Sequence, residues 1–285
     1  MKFNRLSAEE IRIIENKGTE LPFSGRYNNF YQDGIYLCKR CNNPLFYSKD
    51  KFNSNSGWPS FDDTVRGGVK EVIDSDGRRI EIICANCGGH LGHVFRGEQF
   101  TPKNTRHCVN STSLNFEPFE DSDRYSVAYF AGGCFWGVEY WFSKLDGVLG
   151  AYSGYMGGYL DNPTYSDVCR GNSGHIETVK VVYDDRIISY IDLVKFFFEI
   201  HNPEQIDGQG PDIGPQYISA IFYGNRDEKR IAKETILSLK KVGMRVVTKL
   251  IDATQHRFYK AEEEHQNYYK LRGGEPYCHS YRRLF

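Results

Sequence analysis

Cys134 stands in Gly132-Gly133-Cys134-Phe135-Trp136-Gly137, where an alternating, strand-like run over Ser126–Ala131 gives way to an apolar-periodic helical segment. That order sets a thiol on the first turn of a helix. Unpaired backbone N–H groups and the positive end of the helix dipole favour thiolate there, and thiolate is the reactive form. The two glycines leave the sulfur open to approach, and Phe135 and Trp136 put an apolar wall beside it. The expectation is a nucleophilic cysteine next to a pocket for a small apolar group. A buried free cysteine at a strand-to-helix turn is the plain alternative, and the glycine and aromatic flanks weigh against it.

A second constellation is Cys38-Lys39-Arg40-Cys41 with Cys84-Ala85-Asn86-Cys87. Two C-x-x-C knuckles supply four sulfurs, the closed tetrahedral shell of structural zinc. Iron is the competing metal, and two unrelated reduced pairs or redox disulfides are the metal-free alternative. A full cysteine shell leaves no open position, so such a metal stabilises rather than catalyses. A third thiol, Cys108, lies in Arg106-His107-Cys108-Val109-Asn110, downstream of Gly89-His90-Leu91-Gly92-His93 and of Ser56-Gly57-Trp58-Pro59. Arg106 and the nearby imidazoles favour thiolate at Cys108. His90 and His93, three apart, could ligate a metal; with four cysteines already assigned to one, general acid or base work is the stronger reading. Cys169 and Cys278 stand alone.

At 285 residues the chain can bury one large core or two ordinary ones. A net charge of −1 without a Lys/Arg-rich block argues against nonspecific nucleic-acid binding. No apolar run is long enough to span a membrane, and the opening Met1–Leu6 leads into polar Ser7–Glu10 without a leader-like segment. The expected compartment is the cytoplasm, where cysteines serve as metal ligands or catalysts more often than as structural disulfides.

Two textures must position these residues. Residues 1–120 read as short antiparallel strands, among them 35–37, 69–73 and 80–83, broken by Gly67-Gly68, Asp76-Gly77 and Gly88-Gly89. Only Ser7–Lys17 reads as a helix there, with Ser7 and Glu10 as a capping box. The acidic, proline-containing 117–123 reads as a linker. Residues 124–285 alternate: strand 126–131, helix 135–145, strand 149–155, strand 176–183, helix 190–200 capped by Ser189 and Asp192, strand 217–223. That β-α-β-β-α-β order predicts an α+β ferredoxin-like plait, extended by a helix over 227–241, a strand over 245–251 and a helix near 258–271.

Gly-Cys-Phe-Trp-Gly at 133–137 resembles the active-site signature of the A-type peptide methionine sulfoxide reductases. The match continues through Asn162-Pro163-Thr164-Tyr165, Gly174-His175-Ile176-Glu177, His201-Asn202-Pro203 and Gln209-Gly210-Pro211-Asp212-Ile213-Gly214-Pro215-Gln216-Tyr217. The resemblance implies that Cys134 attacks the sulfoxide sulfur, that Phe135 and Trp136 bind substrate, and that Glu177, Tyr165, Asp212 and Tyr217 serve the departing oxygen. The chemistry suits them: the S=O oxygen must be protonated, which asks for a carboxylic acid and phenol donors, and a desolvated Glu177 would keep its proton. By the same resemblance Cys278, in a glycine-rich tail able to swing toward Cys134, recycles the enzyme; Cys169 is the competitor.

Residues 5–117 resemble the B-type reductases, including their four-cysteine zinc site. Carried over, Cys108 is the nucleophile, His90, His93 and Asn110 position substrate and water, Arg106 supports the thiolate and Trp58 packs the substrate methyl group. Glu81 matches a family carboxylate. The chain departs twice: Ser56 stands where many members carry a recycling cysteine, and Arg96-Gly97-Glu98 replaces an Asp-Gly, leaving Glu98 as the substitute for an active-site aspartate. A B–A fusion reducing both sulfoxide epimers in oxidised proteins, S by residues 124–285 and R by 1–120, with thioredoxin-like dithiols as donor and no organic cofactor, is the implied function. A thiol peroxidase or redox sensor, a zinc-stabilised binding module and a zinc hydrolase are the rival readings.

Overall fold

The computed structural model describes residues 3–74, 77–119 and 124–285, and divides into two compact units, Met1–Ser122 and Asp123–Phe285.

In the first unit Ser7 and Glu10 close a reciprocal capping box on α1 (Ala8–Ile14). The helix is shorter than the predicted Ser7–Lys17, and Lys17 takes a left-handed φ of 55°. The strands are β1 (Gly34–Cys38), β2 (Pro44–Tyr47), β3 (Lys51–Phe52), β4 (Ser60–Phe61), β5 (Val69–Ile73), β6 (Ile80–Cys84), β7 (His90–Arg96), β8 (Thr105–Val109) and β9 (Leu114–Pro118). They form an antiparallel sheet of order β2-β1-β9 and a second of order β3-β4-β8-β7-β6-β5. Tyr36, Phe46, Phe61, Ile82, Leu91 and Val109 fill the core, with Phe46 stacked on Phe61 at 4.4 Å. Part of the predicted linker is strand, since Glu117 and Pro118 close β9; residues 120–123, and Asp76 of the predicted Asp76-Gly77 turn, lie outside the described residues.

The second unit contains β10 (Ser126–Gly132), α2 (Phe135–Phe142), β11 (Val148–Met156), α3 (Tyr165–Cys169), β12 (Ile176–Tyr183), α4 (Tyr190–Ile200), β13 (Gly208–Gln209), β14 (Asp212–Ile213), β15 (Ser219–Tyr223), α5 (Arg226–Lys241), β16 (Lys249–Asp252), β17 (Tyr259–Lys260) and α6 (Tyr268–Arg272). The sheet runs β16-β15-β10-β12-β11-β17. Its central four strands are antiparallel in the order of a ferredoxin-like plait, and β16 adds in parallel to β15. The β-branched run of β12 suits a strand buried on both faces. In α4 the predicted Ser189–Asp192 capping box is present. In α5 the buried Ala232, Thr235, Ile236 and Leu239 follow the helical spacing of one packed face. Phe130, Phe142 and Phe197 are fully buried between helices and sheet, each worth about 1.5–3 kcal/mol of transfer free energy.

The helix predicted near 258–271 is absent. Tyr259 and Lys260 pair with the edge of β11, and only Tyr268–Arg272 is α-helical, entered through a left-handed Asn267. The side chain of Glu262 explains the break: it accepts hydrogen bonds from the Tyr155 hydroxyl (2.8 Å) and the Tyr165 backbone N–H (2.9 Å), which hold the segment against the sheet.

Candidate functional sites

Each C-x-x-C knuckle turns the same way: the Cys38 carbonyl accepts from the Asn42 N–H and the Cys84 carbonyl from the Gly88 N–H, with left-handed φ at both turn ends. The four sulfurs of Cys38, Cys41, Cys84 and Cys87 lie within 4.8 Å of one another, with Cys38–Cys87 and Cys41–Cys84 at 3.6 Å. Tetrahedral coordination with metal–sulfur bonds of about 2.3 Å needs sulfur–sulfur edges of about 3.8 Å. The donor set therefore fits a closed-shell metal such as zinc. Asn86 Nδ2 donates to Cys41 Sγ at 3.4 Å, a second support for a thiolate ligand.

The antiparallel register places Cys108 of β8 between Ser60 of β4 and His93 of β7. Beside it opens a cavity of about 150 Å³ lined by Trp58, Arg79, His93, Phe95, Cys108 and Asn110, among others. Arg106 is clasped by Glu98 through Nε (2.7 Å) and Nη2 (2.9 Å), lies over Phe95, and reaches Cys108. Asn110 is held on both ends: its carbonyl oxygen accepts from the Glu20 N–H and its amide donates to the Leu91 carbonyl. His93 Nε2 lies 2.7 Å from Asp74. His90 does not line the cavity; it is buried behind it, 2.7 Å from Glu81, which Lys17 also reaches. Burial pushes the Cys108 thiol above its ordinary value even though Arg106 and Ser56 pull the other way. Burial thus works against the expected thiolate, because taking sulfur out of water disfavours its charged form more than Arg106 favours it. Asp74 and Glu20, which hold His93 and the 110–112 loop, were missed from sequence because a single acidic residue in a turn gives no periodic signal.

In the second unit Gly133 takes φ +97°, and a Cβ there would meet Gln209 Cβ at 2.2 Å, so the turn that delivers Cys134 to the start of α2 requires glycine. Glu177 reaches the same helix start, its Oε2 accepting the Phe135 N–H at 2.9 Å. Burial, and then the neighbouring Cys134, raise Glu177 well above the usual carboxyl range. Tyr165 and Tyr217 are raised too, by burial first, and both lie within electrostatic reach of Glu177; they stay protonated donors. Asp212 accepts from the Tyr277 hydroxyl and lies with the Cys134 and Cys278 sulfurs inside 4.8 Å. Cys278 needs no swing: it is buried and within hydrogen-bond reach of Cys134. That contact with Cys278, and then burial, raise Cys134, outweighing the Trp136 backbone N–H that lowers it. The helix start alone, expected to yield thiolate, is therefore insufficient. Cys169 is exposed at the end of α3 and hydrogen-bonds Tyr165.

Trp136 donates through Nε1 to His265 (3.2 Å) and stacks on Tyr268 at 3.7 Å, while Phe135 faces Tyr165 at 6.4 Å. Glu262, His265, Tyr268, Tyr277 and His279 complete this surround. None was singled out from sequence, although Glu262–Gln266, an unbroken polar run, and the Cys278-His279 pair were visible signals.

A family model described as peptide methionine sulfoxide reductase matches residues 126–284, and one described as SelR domain matches residues 6–118. The chain belongs to the peptide methionine sulfoxide reductases. Its first part is 56% identical over 114 residues to peptide methionine sulfoxide reductase B5 of Oryza sativa subsp. japonica, covering 40% of this chain and 84% of that one. Its second part is 48% identical over 148 residues to peptide methionine sulfoxide reductase MsrA of Methanothermobacter thermautotrophicus, covering 51% and 86%. Reduced Mxr1 of Saccharomyces cerevisiae superposes with a TM-score of 0.52 at 31% identity, over 57% of this chain and 95% of that one. A B-type reductase thus precedes an A-type one in a single bifunctional chain, and thiol-dependent reduction of methionine sulfoxide is the chemistry of both parts. No helix among the described residues is long and apolar enough to cross a membrane.

Proposed function

We propose that Cys134 and Cys108 are the two nucleophiles, that the second unit takes the S epimer of methionine sulfoxide and the first the R epimer, and that oxidised proteins are the substrates. The observation that carries this reading is Glu177, a buried carboxyl held by the Phe135 N–H at the helix start next to Cys134, where burial favours its protonated form. A protonated acid next to a nucleophilic sulfur is what sulfoxide reduction asks for: the acid protonates the S=O oxygen while sulfur attacks sulfur. Tyr165 and Tyr217 add phenol donors, Asp212 supports the water, and Phe135 and Trp136 receive the methyl group. Methionine leaves, Cys134 becomes a sulfenic acid, and Cys278 converts it to a disulfide that a thioredoxin-like dithiol reduces.

In the first unit Cys108 attacks, Trp58 packs the methyl group, His93 and Asn110 hold substrate and water, and His90 acts from behind with Glu81. Arg106 lowers the cost of forming the Cys108 thiolate, and Glu98 fixes Arg106. Zinc on Cys38, Cys41, Cys84 and Cys87 stabilises this unit and takes no part in the chemistry. Cysteines divided between a metal cluster and redox thiols suit a reducing compartment such as the cytoplasm.

The test is turnover on resolved epimers. Cys134→Ser is expected to abolish S reduction and spare R, and Cys108→Ser to do the reverse. Loss of both activities from either substitution in a folded protein would refute two independent sites. Peptide mapping after one turnover on the S epimer is expected to find Cys134–Cys278; a dominant Cys134–Cys169 bond would reassign the recycling thiol.

A further inference from the structure

His279 is an immobilised imidazole with one ring nitrogen free to accept. Its Nε2 lies 2.7 Å from the Gly132 carbonyl oxygen. A carbonyl only accepts, so Nε2 carries the hydrogen and Nδ1 keeps its lone pair. That lone pair faces Cys278 Sγ at 3.0 Å, so the thiol donates to it. The ring is buried, and the space it occupies depends on a residue of the nucleophile's own motif: a Cβ on Gly137 would lie 2.2 Å from His279 Nδ1. The backbone of Cys278 is fixed as well, its carbonyl accepting from Gln209 Nε2 at 3.2 Å. Orientation, tautomer and acceptor position are therefore all set before the reaction begins.

We propose that His279 is the general base of the disulfide-forming step, taking the proton from Cys278 as that thiol attacks oxidised Cys134. This rests on the reading of Cys278 as the recycling thiol. The Cys278 S–H proton passes to His279 Nδ1, and the thiolate attacks the sulfur of the Cys134 sulfenic acid. The S–S bond forms as the S–O bond breaks, and the imidazolium returns its proton to the departing hydroxide, which leaves as water. Cys278 sulfur rises from −2 to −1 and Cys134 sulfur falls from 0 to −1 in formal oxidation number, so the step balances with water as its other product and no outside reagent enters.

Several groups face the ring. Asp212 lies on the 208–213 hairpin, and Cys278 lies alongside with Cys134 beyond it. His201 stands at the end of α4 with Arg282 beside it, and α2 presents the bare backbone of Gly137. Burial pushes His279 down to about 4 against the Gly132 carbonyl and Asp212, so the imidazole is neutral at rest, and the imidazolium formed in the step is short-lived, passing its proton on to the departing hydroxide. A base that already holds its lone pair takes the proton from the attacking thiol without first having to lose one.

The test is single-turnover kinetics on S-methionine sulfoxide with the full chain, following methionine release and Cys134–Cys278 formation separately from pH 5 to 9. In the wild type the disulfide step is expected to be flat. In His279→Asn the ratio of disulfide-forming to methionine-releasing rate is expected to fall at least about 100-fold at pH 7. The residual rate should then rise with pH, as hydroxide takes over from the missing base. Gly137→Ala, which changes no titratable group but displaces the ring, is expected to slow the same step. A flat, wild-type disulfide step in His279→Asn, or equal slowing of both steps, would overturn the proposal; so would an unaffected Gly137→Ala. Absence of a Cys134–Cys278 bond in the wild type would instead overturn the assignment of Cys278 on which it rests.

Discussion

Glu177 and Phe135 are joined by a single hydrogen bond, backbone N–H to carboxyl Oε2 at 2.9 Å, which fixes a buried acid at the start of the helix capped by Cys134. The bond alone would favour the carboxylate, but burial wins and the group is raised well above its ordinary value. Below the unfolded value near 4.5 both states hold the proton. Above it the unfolded chain releases its proton and the folded chain does not, so this group's contribution to stability is lost as pH rises toward the folded value. The slope approaches about 1.4 kcal/mol per pH unit for one proton. Glu177→Gln should therefore match the wild type in thermal stability at pH 4 and exceed it at pH 8, while losing at least about 100-fold in S-epimer turnover. Equal stability differences at both pH values would show that Glu177 is not held protonated.

Glu98 clasps Arg106 through two short bonds. Glu98 is about a third exposed, so solvent screens the pair and its removal should cost less than about 1 kcal/mol of stability. The effect belongs in the chemistry, because a released guanidinium no longer faces Cys108. Glu98→Ala is expected to lower kcat/KM for the R epimer about tenfold, leaving the S epimer unchanged. Glu98→Asp, one methylene shorter, should fall between. R-epimer rates that ignore both substitutions would remove Glu98 from the site.

Four sulfurs in a near-tetrahedral cluster imply one tightly held zinc per chain, checked by elemental analysis of reduced protein. Because a structural metal couples to folding, stripping it or making Cys84→Ser should lower the melting temperature of the first unit and abolish R-epimer turnover. The second unit has its own core, so S-epimer turnover should largely persist. Full R activity in zinc-free protein would refute the structural role.

What was legible in the sequence was what local chemistry fixes. The Ser189–Asp192 box, the β-branched run of β12 and both cysteine knuckles depend on residues a few positions apart, and they stand where their spacing puts them. What was illegible depends on distant partners. The break at Glu262 needs Tyr155 and Tyr165, more than ninety residues away, to accept hydrogen bonds from. The surroundings of Cys134 and Cys108, the two proposed nucleophiles, were illegible for the same reason. A helix start and an arginine are visible in sequence, whereas the burial of Cys134 against Cys278, and of Cys108 under β4 and β7, is created by tertiary packing.

Ser56 meets Cys108 directly, hydrogen-bonding its sulfur, and is itself held by Ser54 Oγ at 2.9 Å. Serine cannot form a disulfide, and Cys38, Cys41, Cys84 and Cys87 are gathered in the four-sulfur cluster that fits a metal. A sulfenic acid on Cys108 therefore has no thiol partner among the described residues of its own unit, which leaves two routes, and direct attack by an external reductant is expected over a thiol of the second unit. Two consequences follow for the full chain. Dithiothreitol, small enough to enter a cavity of about 150 Å³, should sustain R-epimer turnover better than thioredoxin does. Ser56→Cys places a thiol where a hydroxyl already touches the reacting sulfur, so one turnover should leave a Cys108 disulfide to position 56 and raise thioredoxin-dependent R turnover. Both are read by mass spectrometry of the blocked protein and by steady-state rates with each donor. If Cys278→Ser eliminated thioredoxin-dependent R turnover while sparing the dithiothreitol reaction, recycling would run through the second unit and direct attack would be excluded.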